Sequence, residues 1–121
     1  MNKVNIREKF TKFDEYWSPK IVGELNGQYV KLAKLKGEIV WHAHANEDEY
    51  FQVIKGSLVI HLPDEKVELK EGEFYIVPKG VEHKPVADEE VHVLLFEPKE
   101  TTHTGDVVSA MTVEIENQTW I

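Results

Sequence analysis

Residues 38–62 read EIVWHAHANEDEYFQVIKGSLVIHL. β-Branched and aromatic residues come in short runs here, and Asn46-Glu47-Asp48 and Lys55-Gly56 interrupt them as turn signals. Three such runs in 25 residues leave no room for helices between strands, so a βαβ arrangement is disfavoured and antiparallel pairing is expected.

The same texture continues on both sides. YVKLAKL precedes the stretch, and KVELK, EFYIVP, VEHKPV, VHVLLFEP and DVVSAMTVEI follow it. Further turn signals stand at Asn26-Gly27, Gly37, Pro63-Asp64, Glu71-Gly72 and Lys79-Gly80. Many short strands with this punctuation predict an all-β sandwich or barrel over residues 21–121. Residues 1–20 differ. Ile6, Phe10, Phe13 and Trp17 recur at spacings of four, three and four, which predicts one amphipathic helix packed on the barrel. Asn5 and Glu8 resemble a capping box, and Ser18-Pro19 should stop the helix.

Within the opening stretch, the histidines carry the chemistry. On an extended chain His42 and His44 face the same way, so both imidazoles can reach one cation. Glu49 shares parity with Phe51 and Val53, and a carboxylate on that apolar face is costly unless it is paired or metal-bound. His83 shares parity with Val81 and Pro85 and poses the same question. Three imidazoles and one carboxylate suit a divalent transition metal: Zn, Fe, Mn or Ni. Four protein ligands around a six-coordinate ion would leave two positions open. The site would then carry +1 overall, which favours a small anionic or carbonyl-containing molecule.

The spacing His42-x-His44-x4-Glu49-x6-Gly56, followed by Gly72-x5-Pro78-x-Gly80-x2-His83, resembles the two motifs of the cupin superfamily, small single-domain cupins in particular. The leading glycine is offset by one residue at Gly37, and the asparagine that often closes the second motif is Ala87 here. The resemblance implies a double-stranded β-helix, or jelly-roll, barrel with His42, His44, Glu49 and His83 holding a metal inside it. Pro78 and Gly80 would shape the turn that delivers His83. A homodimer is also implied, since cupins usually pair through sheet faces and edges.

Composition limits the alternatives. The chain has 121 residues, about one domain. It has no cysteine, which excludes disulfide scaffolds, thiolate metal sites and cysteine nucleophiles and fits a cytoplasmic location. Its formal charge of −8 repels phosphate backbones, so nucleic acid is not an expected partner. The charged N-terminal stretch has no apolar core of a signal peptide, and no apolar run is long enough for a membrane. A single arginine, Arg7, argues against a sugar-phosphate substrate. Among the remaining candidates, His61 should face outward, His92 should pack or support the site indirectly, and His103 should lie in a loop. Trp41 should sit outside the cavity, either under the helix or at a subunit interface. Tyr75, Lys84 and His92 are the candidates for proton transfer. Two function classes follow: a metal-dependent enzyme, or a non-catalytic ligand-binding or metal-stabilised barrel.

Overall fold

The computed structural model describes residues 2–99 and 118–121. Among the described residues, eight strands form one sheet that curls on itself: β1 (Lys20–Leu25), β2 (Gln28–Glu38), β3 (Glu49–Lys55), β4 (Leu58–His61), β5 (Lys66–Leu69), β6 (Phe74–Val77), β7 (Lys84–Pro98) and β8 (Thr119–Trp120). The long strand β7 is the hub. It pairs antiparallel with β2 along most of its length, with β3 near its end and with β4 at its start. β6 joins β3, placing Val77 opposite Glu49. This closure is the expected jelly-roll barrel.

Alternation decides what faces inward. Phe51 and Val53 on β3 and Val91, Val93 and Leu95 on β7 are buried in one cluster with Ala33 and Leu35 of β2. Leu58 and Ile60 are buried on β4, so His61 takes the opposite face, as its parity requires. β2 is buried on both faces in its middle, because a second apolar layer covers its outside. That layer contains Phe10, Phe13, Val22 and Leu32.

The N-terminal segment departs from the single helix that the spacing predicts. Ile6–Lys9 is one helical turn (α1), capped by the Asn5 side chain accepting from the Glu8 N–H at 3.0 Å. A 3-10 turn, Phe10–Lys12, follows, and Phe13 is extended. The helix ends because the chain finds a better partner. Tyr16 bridges to Lys34 of β2, and the Trp17 N–H donates to the Lys34 carbonyl at 2.9 Å. The apolar stripe is therefore split: Phe10 and Phe13 join the outer layer, whereas Trp17 enters the barrel core.

A second departure concerns residues 39–48, which do not form a continuous strand. Their backbone meets the returning chain at two places only: a reciprocal His42–His83 bridge, and Gly80 N–H to the His44 carbonyl at 2.8 Å. The predicted strand DVVSAMTVEI and His103 lie outside the described residues. No helix among the described residues is long and apolar enough to cross a membrane.

Candidate metal centre

Two short backbone hydrogen bonds set the centre. His42 N–H donates to the His83 carbonyl at 3.0 Å, and His83 N–H donates back at 2.9 Å. Their rings consequently lie close together, with centroids 4.3 Å apart and planes tilted at 56°. Each ring is then fixed by its own chain: Nδ1 of His42 lies 2.8 Å from the Val40 carbonyl, and Nδ1 of His83 lies 3.0 Å from the Val81 carbonyl. A carbonyl can only accept, so each Nδ1 carries the proton and each Nε2 presents a lone pair. Those Nε2 atoms are buried and have no hydrogen-bond partner.

His44 and Glu49 complete the group. Glu49, the first residue of β3, points inward beside Phe51, and its Oε2 contacts His44 Nε2. The same oxygen lies 3.8 Å from His83 Nε2. One ligand atom from each of His42, His44, Glu49 and His83 falls within 4.8 Å of the other three, and all four residues are buried. The structure thus brings together every residue that the sequence singles out for the metal. Unpartnered, buried imidazole nitrogens converging on a carboxylate fit a divalent transition metal and do not fit an ordinary polar core.

Charge in the centre follows from burial and proximity. Burial, reinforced by the neighbouring His83, pulls His42 down to about 4 and keeps it neutral. Burial also pulls on His44, but Glu49, Glu97 and Glu47 outweigh it, and His44 is raised. Burial would raise the Glu49 carboxyl, yet the imidazoles of His44 and His83 beside it hold it well below the usual carboxylate range.

One further pair belongs to the barrel interior. Lys31 Nζ lies 2.9 Å from Glu97 Oε1, and the two side chains are 0% and 2% exposed. Burial first, then the nearby Glu49 carboxylate, pushes Glu97 up to about 7 against the pull of Lys31. Sequence reasoning missed both residues. The signal was present, because Lys31 shares parity with Ala33 and Leu35, and Glu97 with Val93 and Leu95.

The proton-transfer candidates are placed elsewhere. Lys84 turns outward, 3.1 Å from Glu38 Oε1 and over the Trp41 ring. His92 sits on the outer face, stacked on Phe10 at 4.3 Å and bonded to Glu90 at 2.7 Å, so it does not support the centre. Tyr75 packs half-buried against the barrel core. Trp41 is outside the cavity as expected, but it is 41% exposed and not covered by the N-terminal turn. Beside the centre lies a cavity of about 20 Å³, lined by His42 and Glu49 together with Trp17, Phe51, Val93 and Leu95.

The comparisons agree with this architecture. Residues 28–98 match the cupin domain. A cupin-2 domain-containing protein from Shewanella frigidimarina is 46% identical with a TM-score of 0.78, covering 78% of this chain and 93% of that one. Protein NMB1881 from Neisseria meningitidis is 28% identical with a TM-score of 0.74, covering 80% and 99%. The uncharacterized protein YdbB of Bacillus subtilis is 35% identical over 80 residues, which span 65% of this chain and 65% of that relative's length. With the barrel, the convergent His-His-Glu-His group and a family match over residues 28–98, the chain belongs to the cupin domain family.

Proposed function

We propose that this protein binds one divalent transition metal through His42, His44, Glu49 and His83 and presents it to a small anionic or carbonyl-containing molecule. The observation that carries this reading is the pair of buried Nε2 atoms, on His42 and His83, that face Glu49 without a hydrogen bond. The metal would supply Lewis-acid polarisation of a bound oxygen. The chain's own residues would fix the imidazole tautomers through the Val40 and Val81 carbonyls and exclude bulk water through the apolar wall. Among the described residues, the cavity wall offers no acid or base besides the ligands themselves. That feature favours ligand binding, or chemistry centred on the metal, over isomerase chemistry with a separate proton donor. Its occurrence as a homodimer is supported by exposed apolar side chains at Trp41, Phe74, Ile76 and Trp120. Light scattering should return twice 14.0 kDa, and a mass of 14.0 kDa at micromolar concentration would refute the dimer.

The reading is tested by titrating the metal-free chain with Co(II) and then adding azide. A visible d–d absorption that saturates at one equivalent and shifts with azide is expected. Saturation without any azide response would leave a metal that only stabilises the barrel, and no uptake would reject the site.

A further inference from the structure

We infer that Trp17 is the specificity-determining residue of the metal centre, excluding ligands as large as an aromatic ring. This inference rests on the metal-binding reading above and adds a size class to it. The cavity that touches His42 and Glu49 encloses about 20 Å³, room for little more than one water molecule. Its wall is otherwise apolar, and the Trp17 indole is the largest side chain in that wall.

Trp17 is not there as generic packing. Its backbone lies at φ 56°, in the left-handed region that bulky residues rarely adopt. Two hydrogen bonds hold it: its N–H donates to the Lys34 carbonyl at 2.9 Å, and its indole Nε1–H donates to the Lys36 carbonyl at 2.9 Å. These bonds break the helical course of the N-terminal segment and send this one aromatic ring into the barrel, while Phe10 and Phe13 stay outside. Pro19, two residues on, lines the same cavity and stiffens the chain behind the ring. The indole occupies more space than the cavity it borders. Its removal therefore enlarges the room beside His42 and Glu49 several-fold without touching a ligand.

The test uses the full-length chain loaded with Co(II), read by visible absorption while azide or catechol is added. Wild type should respond to azide, and Trp17→Ala should bind catechol at least tenfold more tightly than wild type does. Trp17→Phe retains an aromatic filler and should gain at least threefold, which keeps the test intact if the alanine variant fails to fold. Equal catechol affinity in wild type and the folded variants, all fully loaded, would overturn the role of Trp17 and leave the metal site standing. Failure of wild type to take up Co(II) would overturn the site and this inference with it. Indole emission gives a second readout. Because Trp17 borders the centre, Co(II) quenching should fall by more than half in Trp17→Phe although Trp41 and Trp120 remain. Unchanged quenching would contradict its placement.

Discussion

The protonation of His42 is set by its surroundings. Its Nδ1 proton is committed to the Val40 carbonyl, and burial with His83 alongside holds it near 4 against an ordinary 6.5. In the metal-free chain, the unfolded state therefore binds a proton between about pH 6.5 and 4 that the folded state refuses. The sign follows directly: stability contributed by neutral His42 is complete above about pH 6.5 and is lost as pH falls toward 4. The loss amounts to roughly 3 kcal/mol at most. Urea unfolding at pH 7 and pH 4.5 should show a smaller pH-dependent loss in His42→Gln than in the parent, and equal losses would mean that His42 is not buried neutral. At this scale the sequence was informative. His42, His44, Glu49 and His83 were legible because each puts a polar group on an apolar parity, and the spacing matched a known motif. Lys31 and Glu97 broke the same rule, but they matched no motif and were passed over.

Strands β2 and β7 are joined by more than their backbone ladder. Tyr29 stands opposite Glu97 and Lys31 opposite Leu95, so the Lys31–Glu97 pair runs diagonally across the two strands inside the barrel. A buried pair of this kind contributes little net stability, but removing one partner strands the other charge. Lys31→Met should cost about 3 kcal/mol in urea unfolding, and Lys31→Met combined with Glu97→Leu should recover most of it. Additive losses in the double variant would contradict the pairing. Strand positions were readable along this part of the chain because β-branched runs and glycine turns repeat regularly. Two elements were misread. The N-terminal helix was drawn too long, since a helical stripe says nothing of a competing bridge to Lys34. The segment around His42 and His44 was read as a strand, since parity records which way side chains face and not whether the backbone is paired throughout.

The molecule as a whole is an acidic barrel that buries ionisable groups beside its apolar core. Among the described residues, the buried carboxylates Glu49 and Glu97 lie with Lys31 and the imidazoles of His42, His44 and His83. On the proposed reading, a divalent cation held there would make the centre net positive and favour an anionic ligand despite the chain's formal charge of −8. The fold class was legible from turn spacing, and the cavity size was not, because it depends on where one tryptophan ring lodges. Whether a cation occupies the four-residue group is decided most directly by elemental analysis of untagged protein, set beside His44→Ala and Glu49→Gln. Near-stoichiometric transition metal in the parent and little in either variant is the expected result. The same metal content in all three proteins would contradict the account.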